Sequence, residues 1–437
     1  MAYYPAWAAD DFPPEKIDFG RLDWIDFAFA VPDKNFALGW DGSDDAPNLL
    51  RRLVARAHKS RKRVKLSVGG WTGSKYFSAA VATAQSRATF ARNLLALYRQ
   101  FALDGVDIDW EYPGQPGAPG NAVSARDTDN LLAFLTLLRQ TLPAGAVITA
   151  AAPPEPWSTL RNGPAFARAL DWVLIMNYDT WQASNPPGPN APLSDACGNS
   201  TRPESSALAA LRAWTRAGVP ADRLVLGVPS YAYVVRSSAT RLRGRATRSE
   251  DLAPGPAGSH LHSHSHPHPH SPRRRRGVHA PRRPHRAGRV PLGRWPAGVH
   301  PTGGRRDGLL FLRRRRRAAA RPNDDGGTDN GQVQFRALFA QARSSSSRPR
   351  PPSSSRKFAG AHGFRRTWDA CSSTPFLRSA GARQVVAYDD PASLEVKAQF
   401  ARRAGMRGVN MFDVHGDTDA WDLVDALRRG LGVTGAQ

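Results

Sequence analysis

The stretch Asp104-Gly105-Val106-Asp107-Ile108-Asp109-Trp110-Glu111-Tyr112-Pro113 decides the fold. Acids and apolar residues alternate with period two, so a strand sends Asp107, Asp109 and Glu111 to one face and Val106, Ile108 and Trp110 to the other. Such a strand has no place in an ordinary two-sided core. It suits a closed parallel barrel, whose strands pack outward on helices and point inward at a narrow interior that opens at their C-terminal ends. At about 3.3 Å per residue, Glu111 stands at the mouth, Asp109 about 6–7 Å below it and Asp107 deeper. Like charges so close in a low dielectric cannot all stay ionised, so one is expected to hold a proton at neutral pH, as a general acid must. A solvated acidic strand or a metal cluster would use the same residue types, but neither explains the apolar alternation or the Tyr112-Pro113 stop.

Upstream, Arg63 to Trp71 reads as a strand ending in Ser67-Val68-Gly69-Gly70. Two glycines there let the backbone pass close to the neighbouring acids, and Ser67 is placed to hydrogen-bond the inner aspartate. Between the two strands a helix opens at Ser86 and carries Phe90, Leu94, Leu97 and Phe101 on one side. The same strand-and-helix alternation extends both ways. Strands are expected at Tyr3–Pro5, Trp24–Ala30, Val147–Ala152, Trp172–Asp179, Leu224–Tyr231 and Met406–Asp413. Helices are expected at Leu49–His58, Asp129–Leu142, Ala207–Ala217, Ser393–Ala404 and Ala420–Arg429, the last capped by Asp417 or Thr418. The fold class is therefore α/β, a (β/α)8 TIM barrel with a long insertion between strands seven and eight. Residues 1–235 hold the first seven strands, 236–363 the insertion, and 364–437 its end with strand eight and the last helix.

The chain has 437 residues and a net charge of +24, but residues 241–321 alone contain 21 Arg, no Lys and three acids. That segment accounts for +18, and the remainder has an ordinary globular balance. Its alternating histidines from His260 to His270 and the arginine runs at 273–276 and 313–317 lack apolar periodicity, so disorder is expected. With only Phe311 and Trp295 to stack on bases, nucleic-acid binding is not favoured, and an unfolded histidine strip selects no metal. Arg, His, Pro, Gly and Ala together are what a GC-rich coding stretch yields when read out of frame or through an intron. No apolar run reaches the roughly 20 residues of a membrane span. No signal peptide precedes the strand-like Ala2–Trp7. Cys197 and Cys371 either pair across two loops or remain free thiols.

The pattern Asp-x-x-Asp-x-Asp-x-Glu, filled by Asp104, Asp107, Asp109 and Glu111, resembles the signature of glycoside hydrolase family 18, the chitinases and their relatives. Ser67-Val68-Gly69-Gly70 resembles the family's second signature, and Met176-Asn177-Tyr178-Asp179 its Met-x-Tyr-Asp motif. The resemblance implies a secreted chitinase that cuts β-1,4 bonds between N-acetylglucosamine units with no metal or other cofactor. Glu111 would be the general acid/base, with Asp109, Asp107 and Tyr178 also catalytic, and Asp107 sharing a proton with Asp109. Tyr3, Phe29, Ser67, Gly70, Trp71, Tyr112, Met176, Asp179 and Phe412 would meet the substrate. Phe412 stands where relatives commonly have tryptophan. Expected partners are chitin or chito-oligosaccharides, with no membrane or nucleic acid, and the chain is expected to be a monomer. An endo-β-N-acetylglucosaminidase acting on N-glycans, or a non-catalytic chitin-binding lectin, would share the barrel. His415, Asp417 and Asp419 are not read as a metal site.

Overall fold

The computed structural model describes residues 1–158, 160–242, 331–340, 358, 360 and 363–433. From β1 (Ala2–Pro5) the chain passes to β2 (Trp24–Pro32), its hairpin partner β3 (Leu38–Trp40), α1 (Ala46–Lys59) and β4 (Arg63–Gly69). Then come α2 (Phe77–Ala82), α3 (Ala84–Gln100) and the acid strand β5 (Gly105–Asp109). The alternation continues through α4 (Asp127–Thr141), β6 (Val147–Ala152), α5 (Gly163–Ala169), β7 (Trp172–Ile175), α6 (Ala207–Arg216) and β8 (Leu224–Pro229). A second group follows: β9 (Tyr231–Arg236), β10 (Gln332–Gln334), α7 (Phe335–Ala340), β11 (Arg365–Asp369), β12 (Thr374–Ser379) and β13 (Gln384–Ala387). Helix α8 (Pro391–Arg403), β14 (Gly408–Phe412) and α9 (Asp422–Leu431) complete it.

The strands β1, β2, β4 to β8 and β14 pair in parallel, and β1 bonds to both β14 and β2, which closes an eight-stranded barrel. The outward face of β5 explains its sequence. Val106, Ile108 and Trp110 are buried between barrel and helices, where Trp110 stacks on Phe77 at 5.4 Å and Phe90 stacks on Phe134 at 4.9 Å. Burying such side chains contributes about 1.5–3 kcal/mol each, which fixes which face of the strand turns inward. Register then sets heights inside: Lys65 lies level with Gly105, Ser67 and Thr149 with Asp107, and Gly69 with Asp109.

Several boundaries differ from the sequence expectation. Helix α3 is capped by Thr83, whose hydroxyl accepts from the Ser86 amide at 3.0 Å while Ser86 reaches back to the Thr83 amide, so Ser86 is the third residue of a capping box rather than the cap. The strand expected to run to Asp179 ends at Ile175, because the chain turns sharply and Asp179 sits at φ 59°. The last helix begins at Asp422. Asp417 still serves as its cap, accepting from the Leu423 and Val424 amides at 2.9 Å each, and the Thr418 hydroxyl accepts from the Asp422 amide.

The insertion also begins earlier than expected. Strand β9 leaves the barrel at Tyr231 and enters an antiparallel sheet of order β10-β9-β13-β12-β11. Within 236–363, expected to be largely disordered, Gln332–Gln334 pair with β9, and the helix after them buries Phe335 and Phe339 against Phe358 and Tyr388. The Arg- and His-rich residues from 243 to 321 lie outside the described residues. Cys197 and Cys371 form a disulfide between the loop before α6 and the β11–β12 turn.

Candidate active site

The barrel interior has a lower tier in which every acid has partners. Asp107 is fully buried and accepts from Tyr3 Oη at 2.9 Å, Ser67 Oγ at 2.8 Å and Thr149 Oγ1 at 2.5 Å. Beside it lies Lys65, also buried, whose Nζ donates to Thr149 Oγ1 at 2.8 Å and stands 3.1 Å from Asp26 Oδ1 and 4.0 Å from Asp107 Oδ1. The Asp26 contact is a charge pair without hydrogen-bond alignment, while Asp26 Oδ2 accepts from Asn410 Nδ2 at 2.6 Å. Below, Lys65 Nζ faces the Trp172 ring at 4.7 Å.

Two residues further along β5 the situation reverses. Asp109 is buried, and its Oδ1 has no hydrogen-bond partner. Burial, with the charges of Glu111, Asp107 and Asp26, pushes its carboxyl well above the usual carboxylate range. At the mouth, Glu111 is only partly covered by its own neighbours, yet dense protein around its carboxyl pushes the pKa up to about 7. A hydrogen bond from Tyr112 opposes that rise, and the charge of Asp179 adds to it.

Local chain geometry holds Glu111 in place. Ser74 Oγ accepts from the Glu111 amide at 2.9 Å and donates to the Gly70 carbonyl at 2.8 Å, while Asn121 Nδ2 donates to the Glu111 carbonyl at 3.2 Å. The two glycines act as their positions require. Gly69 has φ 116°, and a Cβ there would sit 2.1 Å from the Asp109 carbonyl oxygen; Gly70, at φ 81°, donates its amide to that same oxygen.

The remaining expected residues line the walls. Tyr178 is held among Asp109, Asp179 and Glu111, whose charges add to burial in raising its phenol well above the ordinary value. Asp179 accepts from both Tyr231 and Tyr233, the latter at 2.8 Å, and burial raises its pKa despite those bonds. The Phe412 ring lies 5.3 Å from Tyr3 and 6.2 Å from Tyr178. Met176 and Phe29 are buried in the same apolar interior cluster. Trp71 stands on the rim, 45% exposed and edge-on to Tyr112.

Sequence reading missed Lys65, Asp26, Thr149 and Asn410 in the lower tier, and Ser74, Tyr231 and Tyr233 above it. Lys65 and Asp26 were within reach: each lies on the inward period of its strand, two residues from Ser67 and Ala28 respectively, and their charges are opposite. His415, Asp417 and Asp419 are otherwise engaged: His415 packs against Phe12, Asp417 caps α9 and Asp419 pairs with Arg336.

The chain is a closed parallel barrel with stacked carboxyls on its fourth strand, topped by a protonatable glutamate among aromatic walls. The chain matches the model for glycosyl hydrolases family 18 over residues 1–417 and belongs to that family. It is 31% identical to a chitinase-like effector of Moniliophthora perniciosa, over 99% of this chain and 86% of that one. It is 35% identical to chitinase A1 of Niallia circulans over 53% of this chain and 42% of the other. Its fold matches the crystal structure of a chitinase from Rhizomucor miehei with a TM-score of 0.71 and 28% identity, covering 98% and 99% of the two chains.

Proposed function

We propose that the protein is a chitinase hydrolysing β-1,4-linked N-acetylglucosamine polymers with Glu111 as general acid/base. The observation that carries this reading is the pairing of a Glu111 carboxyl raised to about 7 with an Asp109 that holds an unpartnered oxygen directly below it. Glu111 protonates the leaving oxygen, and the substrate's own acetamido oxygen closes onto the anomeric carbon in place of an enzyme nucleophile. Asp109 receives the acetamido N–H on its free oxygen and offsets the positive charge of the oxazolinium ion. Tyr178 donates to the acetamido carbonyl. Tyr231 and Tyr233 both donate to Asp179 Oδ1 and fix the orientation of that carboxyl in the wall. Trp71, Tyr112 and Phe412 offer ring faces to sugars. The protein acts outside the cell, a setting in which the Cys197–Cys371 disulfide persists.

Release of soluble oligosaccharides from colloidal chitin tests the reading, and NMR of the first product is expected to show the β-anomer. Fully de-acetylated oligomers should be inert. Because the acid must carry its proton, kcat/KM should fall as pH rises through about 7. An initial α-anomer, or brisk cleavage of glucosamine-only chains, would exclude the mechanism. A second reading, binding of chitin fragments without cleavage, is favoured by the two Moniliophthora relatives named chitinase-like effectors. Tight oligosaccharide binding with no product from colloidal chitin would select it.

A further inference from the structure

We infer that Asn190 is a positioning residue that holds Asp179 in the wall of the cleft. The inference deepens the chitinase reading proposed above and rests on it for the substrate. Strand β7 ends at Ile175, and the chain leaves β6 with the Met176 amide bonded to the Ala152 carbonyl at 2.8 Å. Beyond that point Tyr178 and Asp179 enter the site, and Asp179 adopts a left-handed backbone, φ 59°, that residues other than glycine seldom take. Such a turn needs an outside hold. The buried Asn190 supplies it: its Oδ1 accepts from the Asp179 amide at 2.8 Å, its Nδ2 donates to the Tyr231 carbonyl at 3.3 Å, and its own carbonyl accepts from the Thr180 amide at 3.1 Å. The orientation of the side-chain amide follows from its partners, because a backbone N–H only donates and a backbone carbonyl only accepts.

These contacts close a ring. The Tyr231 hydroxyl donates to Asp179 Oδ1, and Asn190 joins the backbones of the same two residues. One side chain thus sets the spacing between the turn and β9 across which the Tyr231–Asp179 bond forms. Tyr233, two residues along β9, donates to the same carboxyl oxygen at 2.8 Å and itself accepts from Gln332 Nε2 at 2.8 Å. The other titratable groups facing Asp179 are Glu111 and Tyr112, which follow β5, and Tyr178 beside it. The loop keeps three anchors that do not use the Asn190 side chain. The Thr180 amide bonds the Asn190 backbone, Asn177 Nδ2 donates to the Pro192 carbonyl at 3.2 Å, and the Cys197–Cys371 disulfide ties down the loop further on.

Asn190→Leu fills the space without making either side-chain bond, and Asn190→Ala stands beside it should leucine not fit. Carbon-13 NMR of aspartate-labelled, ligand-free protein reads the Asp179 carboxyl directly. The two tyrosine bonds favour its charged form, so its titration midpoint should rise in both Asn190 variants, as it should in Tyr231→Phe. On chito-oligosaccharides, Asn190→Leu should lose about tenfold or more in kcat/KM. Made on the Asp179→Gly background, the same substitution should cost no more than about threefold, because glycine accepts the left-handed turn and leaves no carboxyl to orient. A folded variant whose Asp179 midpoint stays at or below the wild-type value, or an equal loss of kcat/KM on both backgrounds, would overturn the inference. Because the NMR arm needs neither binding nor turnover, a wild type that fails to cleave chitin overturns the chitinase reading without touching this one.

Discussion

Asp107 and Asp109 are two residues apart on one strand, share one face and are both buried, yet the protein treats them in opposite ways. Asp107 sits in a tier where three hydroxyls and a lysine surround the carboxyl. Asp109 sits where its own Oδ1 has nothing to bond. Leaving a buried acceptor unmatched costs about 1–3 kcal/mol, so the upper tier is less stable than it could be. The difference teaches how a barrel divides labour along its axis: three hydroxyls tie Asp107 to the neighbouring strands, while Asp109 leaves an oxygen open, which suits the substrate contact proposed for it.

If this division is real, substitutions in the two tiers should have opposite signs. The largest effect belongs to Glu111→Gln, which keeps shape but removes the transferable proton. Turnover should fall by at least about a thousandfold while oligosaccharide affinity survives, and a variant retaining a tenth of the wild-type rate would remove Glu111 from its role. The same variant should be more stable at alkaline pH. Glu111 rises from 4.5 to about 7 on folding, so the stability it contributes is present below about 4.5 and lost as pH rises through about 7. Glutamine does not ionise, and urea unfolding at pH 8 should favour it by on the order of 2 kcal/mol.

Lys65→Met alone should do the reverse. It strands Asp26 without its charge partner and should cost about 3–5 kcal/mol of stability at every pH where Asp26 is ionised. Equal unfolding midpoints for wild type and variant would erase the contrast between tiers. The smallest effect concerns the wall above both tiers. Phe412→Trp enlarges the ring next to Tyr3 and Tyr178, and calorimetry should show oligosaccharide affinity rising about threefold to tenfold, corresponding to roughly 0.5–1.5 kcal/mol of added ring contact.

Much of the upper tier was legible because its residues lie on one strand. The alternation of Asp107, Asp109 and Glu111 with Val106, Ile108 and Trp110 names both faces of β5, and Gly69-Gly70 marks where a neighbour must come close. The lower tier is assembled across strands. Asn410 reaches Asp26 over 384 positions of sequence, and nothing in its own surroundings points there. The clamp on Asp179 was hidden for a related reason. Tyr231 and Tyr233 come after the last expected residue of barrel strand seven or at its very end, and only the turn of β9 into the second sheet brings their hydroxyls back. Gln332–Gln334 was missed because three residues are too few for a period to show.

The pairing of β9 with β10 has a consequence for the 88 residues between Leu242 and Gly331. Gln332 aligns with Tyr233, and the Val234 amide donates to the Gly331 carbonyl, so the returning chain is pinned beside β9, eight residues before Leu242. A ladder of this kind works as a doorway with a fixed frame: whatever passes through, both posts stay where the barrel sets them. Closing a loop costs only about 0.6 kcal/mol more for each doubling of its length, so replacing residues 241–321 with a short Gly/Ser linker should change folding free energy by only about 2 kcal/mol. Chitin cleavage by such a shortened chain should equal that of the full one. By the same logic, a fluorescent domain with closely spaced ends could be hung in the doorway, and the frame would carry a new passenger without disturbing the carboxylates inside the barrel.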